Sequence, residues 1–172
     1  MPGRPSAPPS AYARAASRLA LRDHSERELR QVLARKGHAL SEIDAVVERL
    51  LRDRGLDDAR MAERFASVRL SRRGHGSRRI RQDLLERGIA RPLVEQGLKR
   101  ALADTSEVEG LDAAAERYWV AHTRVVPEQR LQRLWAFLLR RGFPEPLVRQ
   151  RLRQLWPAWR QALEGLEAPD ES

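Results

Sequence analysis

Three glycines frame this chain. Gly37, Gly88 and Gly142 stand 51 and 54 residues apart, and the residues around each repeat one pattern. Four residues before each lies Leu33, Leu84 or Leu138, and eight before lies Leu29, Ile80 or Leu134. The residue just before is a base (Lys36, Arg87 or Arg141), and four after comes Ser41, Pro92 or Pro146. Apolar residues four apart share one helix face. A glycine just past the last of them ends the helix in left-handed backbone, and serine or proline opens the next. A helix–glycine–helix unit used three times marks a tandem array whose units bury their apolar stripes against their neighbours. No run alternates β-branched and polar residues, so strands are not expected. The expected fold is all-α: three tandem three-helix repeats over residues 11–55, 56–103 and 104–163. Residues 1–10, rich in proline, read as a disordered tail, and residues 164–172 as a frayed acidic one.

Local signals fill in the helices. Ser10 is placed to cap a helix from Ala11 to about Arg22, with Tyr12, Ala15, Ala16 and Leu19 on one face. Ser25 and Glu28 form a capping box for the next, whose stripe is Leu29, Val32 and Leu33. A third helix is expected from about Ser41 to Arg54, with Ile43, Val46, Val47, Leu50 and Leu51 inward and Gly55 closing it. In the second repeat Asp57 or Asp58 caps a helix through Met61, Phe65 and Val68. Ile80, Leu84 and Leu85 line the next, and Leu93, Val94, Leu98 and Leu102 the one opened by Pro92. A loop over Asp104 to Gly110 precedes the third repeat. Its apolar residues are Leu111, Ala114, Ala115, Tyr118 and Trp119, then Leu131, Leu134, Trp135 and Leu138 after Pro127, then Leu147, Val148, Leu152 and Leu155 after Pro146, with a break at Trp156-Pro157. All four tryptophans (Trp119, Trp135, Trp156, Trp159) lie here, so this repeat should have the bulkiest core, with Trp159 the best candidate for exposure.

Charge points to function. The net charge is +9, and Lys36 and Lys99 are the only lysines among 33 basic residues. Codon preference explains arginine over lysine but not the surplus over 24 acids. A balance this basic favours anionic partners. From Arg64 to Gln82 there are seven arginines and no acid. Arg69, Arg72, Arg73, Arg78, Arg79 and Arg81 crowd the Gly74-His75-Gly76 turn, where glycine permits close backbone approach. A solvated helix face mixes both signs, and this one does not. His75 is placed to touch a partner. The third repeat adds Arg130, Arg133, Arg140, Arg141, Arg149, Arg151 and Arg153, opposed mainly by Glu128 and Glu145, so a basic face spanning two repeats is expected.

Catalytic readings find little support. The chain has no cysteine, which excludes disulfides and thiolate chemistry and fits a reducing cytoplasm. His24, His38, His75 and His122 have no metal-ligand spacing. Gly74-His75-Gly76 lacks the glycine spacing of a phosphate-binding loop. Asp53, Asp57 and Asp58 flank Gly55 and could form a catalytic pair, but helix capping explains Asp57 and Asp58 at once. No apolar run reaches the ~20 residues of a membrane span. No enzyme, cofactor, metal or membrane partner is expected.

The residues also carry a resemblance. Gly55-Leu56-Asp57-Asp58, Met61-Ala62, Phe65, Arg72-Arg73-Gly74-His75-Gly76, Arg78-Arg79-Ile80, Leu84 and Gly88-Ile89 are similar to the RecX family of RecA regulators. So are His24-Ser25-Glu26-Arg27-Glu28-Leu29, Leu33, Lys36-Gly37 and Phe137-Leu138-Leu139-Arg140-Arg141-Gly142-Phe143, and the likeness runs from about Tyr12 to Leu155. Met61 stands where the family often has an aromatic, and His75 where it often has tyrosine. The resemblance implies an elongated, curved array of trihelical repeats. It also implies binding to RecA and the RecA–DNA filament, with less ATP hydrolysis, strand exchange and SOS coprotease activity, and binding to single- or double-stranded DNA. It carries over no catalytic residue. The expected contacts are Arg69, Arg72, Arg73, His75, Arg78, Arg79, Arg81, Arg140 and Arg141. The other reading is a stand-alone DNA-binding module of helix-turn-helix type, with the charge spent on phosphates. Against it, the arginines crowd a turn rather than one recognition-helix face, and base-reading Asn and Gln are few.

Overall fold

A computed structural model describes residues 9–155. Among the described residues there are helices and no strand: α1 (Ala11–Leu21), α2 (Glu26–Arg35), α3 (Leu40–Arg52), α4 (Asp58–Arg73), α5 (Ser77–Glu86), α6 (Arg91–Asp104), α7 (Glu107–Ala121), α8 (Pro127–Arg140) and α9 (Glu145–Leu155). They form three sets of three, and Gly37, Gly88 and Gly142 close the middle helix of each at φ of 81°, 84° and 85°. None is long and apolar enough to cross a membrane. The chain groups into two compact units, Met1–Arg64 with Asp83–Gly97 and Phe65–Gln82 with Leu98–Ser172. The division passes through α4, α5 and α6.

In the first unit, Ser10 Oγ accepts from the Ala13 N–H at 3.2 Å and starts α1. Ser25 and Glu28 close the capping box on α2, with Ser25 Oγ accepting from the Glu28 N–H at 3.1 Å and the Glu28 carboxylate accepting from the Ser25 N–H at 3.0 Å. Ala15, Leu29, Leu33, Ile43, Val47, Leu50 and Leu56 make the core, with Leu19 and Val46 at its edge. Two expected boundaries shift. Ser41 is not a cap: α3 starts at Leu40, and Glu42 accepts from the Ala39 N–H at 3.2 Å. The left-handed residue after α3 is Arg54, at φ 53°, not Gly55. A Cβ on Gly55 would press on Leu50 Cδ2 at 3.2 Å, so this glycine serves close packing.

In the second unit the core is Leu111, Ala114, Ala115, Leu131, Leu134, Leu138, Phe143, Val148 and Leu152. Tyr118, Trp119, Trp135 and Leu147 pack on it half-buried, so this core is the bulkier one. The loop expected over Asp104 to Gly110 is shorter, because Ser106 Oγ accepts from the Glu109 N–H at 3.2 Å and starts α7 at Glu107. Pro127 opens α8, while Pro92 and Pro146 stand second in α6 and α9.

The buried stripe is narrower than the apolar pattern predicts. Tyr12, Leu51, Val68 and Leu102 are exposed, as is Ala16. Tyr12, Ala16, Leu51 and Leu102 each stand next to a buried residue: Ala11, Ala15, Leu50 and Ala101. Tyr12 carries the Arg49 guanidinium over its ring at 4.4 Å. Trp156, Pro157, Trp159, residues 1–8 of the first tail and the whole acidic tail lie outside the described residues, as does the Leu155 side chain.

The first unit holds a junction between successive repeats. Ser25 Oγ donates to the Arg87 carbonyl at 2.5 Å. The Glu26 N–H donates to Asp58 Oδ1 at 3.0 Å, so the acid that opens α4 caps α2. Arg87 donates to the Glu28 carboxylate at 3.0 and 3.2 Å. Gly88 lies so close that a Cβ on it would be 2.8 Å from Arg27 Cβ.

Candidate interaction surface

The second unit repeats that junction with a basic sequence. The turn between α4 and α5 lies on the turn between α8 and α9, backbone against backbone. The Gly76 N–H donates to the Arg141 carbonyl at 2.9 Å, and the Arg78 N–H to the Gly142 carbonyl at 3.0 Å. A Cβ on Gly76 would sit 2.2 Å from Phe143 N, and one on Gly142 would sit 2.3 Å from Arg79 Cβ. Only glycine allows approach this close. The Ser77 N–H donates to Glu107 Oε1 at 2.6 Å, as the Glu26 N–H does to Asp58. A carboxylate suits the positive start of a helix, and Glu107 is held there beside α5.

The docking brings the two arginine-bearing turns into one place. Arg79 Nη1 donates to the Arg140 carbonyl at 3.5 Å, and Arg141 Nη1 to the Gly74 carbonyl at 3.4 Å. The Arg141 guanidinium also lies over the Phe137 ring at 4.9 Å. Arg69 lies over Phe65 at 4.7 Å, with its Nη1 3.4 Å from His75 Nδ1. These contacts fix Arg69, His75, Arg79 and Arg141 as framework, and Arg81 is half-buried and engaged. Arg72, Arg78 and Arg140 differ. All three are exposed, and none has an ion pair among the described residues. Their guanidiniums are exposed beside the docked turns. The Arg73 side chain lies outside the described residues.

Of the other arginines of the third repeat, Arg133 and Arg153 are exposed with no ion pair among the described residues, while three are engaged. Arg149 pairs with Glu145 at 2.7 Å, and Arg151 with Asp112 through two hydrogen bonds. Arg130 lies over the Trp119 ring at 3.8 Å. Two participants escaped sequence reasoning. Glu107 could have been found by aligning repeats, since it opens α7 as Asp58 opens α4. Arg117, whose Nη2 would be 3.3 Å from a Cβ on Gly74, has no such signal.

Comparison with known proteins gives a consistent picture. Three family models match in order: the first, second and third three-helix domains of RecX, over residues 11–50, 57–98 and 105–152. A protein of Halorhodospira halophila named regulatory protein RecX is 37% identical over 142 residues, covering 76% of this chain and 79% of that one. One of the same name from Trichlorobacter lovleyi is 33% identical over 144 residues, covering 83% and 94%. The crystal structure of RecX from Lactobacillus salivarius shares the fold, with a TM-score of 0.74 at 19% identity over 84% of this chain and 94% of that one.

Proposed function

This chain belongs to the RecX family, and from that premise we propose that it binds RecA and the RecA–DNA filament and lowers ATPase, strand-exchange and SOS coprotease activity in the cytoplasm. The carrying observation is the exposed set Arg72, Arg78 and Arg140 on the docked turns, with no acid paired to any of them. Arginine forks match carboxylates and phosphates in two-point contact. A recombinase filament on DNA offers both. The backbone contacts between the turns fix where the side chains of Arg78 and Arg140 start, so less backbone has to be ordered on binding. The chain acts by binding and performs no chemistry of its own.

The test is RecA ATPase on single-stranded DNA with substoichiometric additions of this chain. Arg72→Glu, Arg78→Glu and Arg140→Glu together should abolish inhibition while helical content stays unchanged. Full inhibition by that variant overturns the reading. A second reading rests on the same guanidiniums, which suit DNA phosphates alone. Under it the chain binds DNA without RecA, and affinity falls steeply with salt.

A further inference from the structure

Gly88 and Gly142 share a task. Each closes a helix beside a base, and each turn seats on the start of the preceding repeat's middle helix. The carbonyl of the base accepts a hydrogen bond there, from Ser25 Oγ at Arg87 and from the Gly76 N–H at Arg141. Gly37 makes the same turn. Its N–H reaches the Ala34 carbonyl at 2.9 Å, as Gly88 reaches Leu85 and Gly142 reaches Leu139 at 2.9 Å each. Among the described residues no repeat precedes it. A Cβ on Gly37 would meet nothing within 4 Å among the described residues. Lys36, the counterpart of Arg87 and Arg141, is exposed, and neither its ammonium nor its carbonyl has a described partner. The next residue, buried Ile89 or Phe143 in the filled turns, is here His38, whose Nε2 is buried with no hydrogen-bond partner.

Beside this open turn lies a groove of about 560 Å³ whose lining includes Arg18, Leu21, Arg22, Val32, Arg35 and Lys36. Leu21 is 77% exposed. Arg22 is paired with Glu28, but Arg18, Arg35 and Lys36 have no ion pair among the described residues. The groove thus offers an apolar patch ringed by free cations.

We propose that the Gly37 turn and this groove form a docking site for a partner protein's helix start, one with a hydroxyl cap, an acid three residues on and an apolar side chain after it. The occupant is set by precedent and charge. In the filled first junction the seated helix start carries Ser25 and Glu28, and Glu28 takes the guanidinium of Arg87. Lys36 is the corresponding cation without its acid. A second copy of this chain does not fit. Counted from the closing glycine, Arg130 takes the place of Ser25 and Gly76, yet it lies inside α8, which opens three residues earlier at Pro127. The last repeat therefore presents no helix start in that place.

The probe is a blocked peptide with the sequence of residues 23–35 of this chain, titrated into the isotope-labelled full chain and followed by backbone amide shifts. Shifts should centre on Lys36, Gly37 and His38 and extend to Leu21 and Arg35. A peptide with Ser25→Ala and Glu28→Lys should bind at least about fivefold more weakly. In the full chain, Lys36→Glu should lose binding and Lys36→Arg should keep it. Equal binding of both peptides, shifts centred elsewhere, or a chain that self-associates through this turn would overturn the proposal. The measurement uses no RecA, so it stands or falls apart from the proposed function.

Discussion

Replacing Gly76 with alanine puts a methyl group inside another stretch of backbone. The new Cβ would lie 2.2 Å from Phe143 N and 2.3 Å from the Gly142 carbonyl carbon and oxygen. Carbon atoms at rest stand ~3.5–4.0 Å apart, so the two turns must separate by at least about 1 Å. That breaks the Gly76–Arg141 and Arg78–Gly142 hydrogen bonds, of 2.9 and 3.0 Å. Each contributes a net ~0.5–1.5 kcal/mol. Phe143, only 1% exposed, also loses its seat, and overpacking of this kind costs about 1–3 kcal/mol. The total is about 2–6 kcal/mol, or a fall of roughly 4–24 °C in Tm. Gly76 is not in left-handed backbone, so the cost is steric. The control is Gly37→Ala, where φ is +81° and the methyl group meets nothing; it should cost only about 1 kcal/mol. Urea unfolding followed by circular dichroism measures both, and amide exchange at Gly76 and Arg78 locates the damage. If Gly76→Ala costs no more than Gly37→Ala, the docked turns do not hold the basic surface together.

Two further outcomes follow in the first unit. Glu28→Ala strands Arg87, whose side chain is 20% exposed, and should cost about 1.5–3 kcal/mol in urea unfolding; a change within the error of wild type would remove Glu28 from the junction. The same junction should weaken in acid. Burial chiefly, with the charges of Arg22 and Arg87, pushes the His24 pKa below 6.5 against the Arg22 carbonyl and Glu28. Burial would raise Glu28, but hydrogen bonds from Arg87, the Ser25 N–H and Arg22 hold it below 4.5. Both groups take up protons more readily unfolded, so their stabilisation is full above 6.5 and 4.5 respectively and is lost as pH falls through their lower folded values. Asp58, raised above 3.8 mainly by burial, works in the opposite sense. The urea midpoint should fall between pH about 7.5 and about 4, with exchange at the Ser25 and Glu26 amides rising first; a flat midpoint would refute this.

Short-range chemistry made most of the fold legible. Helix faces follow from spacing, and Ser10, Ser25 and Pro127 name their own helix starts. Gly37, Gly88 and Gly142 declare left-handed turns because little else tolerates them. Contacts far apart in the chain were not legible. Gly76 reads as a turn glycine, and nothing near it says that Phe143 lies where its Cβ would be. The arginine cluster was visible as a whole, but its division was not. Whether an arginine is framework or free depends on a carbonyl or a ring elsewhere, as with Arg79 at Arg140 and Arg141 at Gly74. The third repeat looked uniformly basic because Asp112, the partner of Arg151, lies 39 residues away.

The division between the compact units runs through α4, α5 and α6, midway along the second repeat. The repeating segment is thus out of phase with the segment that packs. Ser25, Glu26 and Glu28 meet Asp58, Arg87 and Gly88 of the next repeat, and Gly76, Ser77 and Arg78 meet Glu107, Arg141 and Gly142 of the one after. A middle repeat arrives with the second half of one joint and the first half of another, and neither half is complete until a related copy stands on each side. The room available at Gly88 and Gly142 is therefore set by a residue of the repeat before each, Arg27 and Arg79.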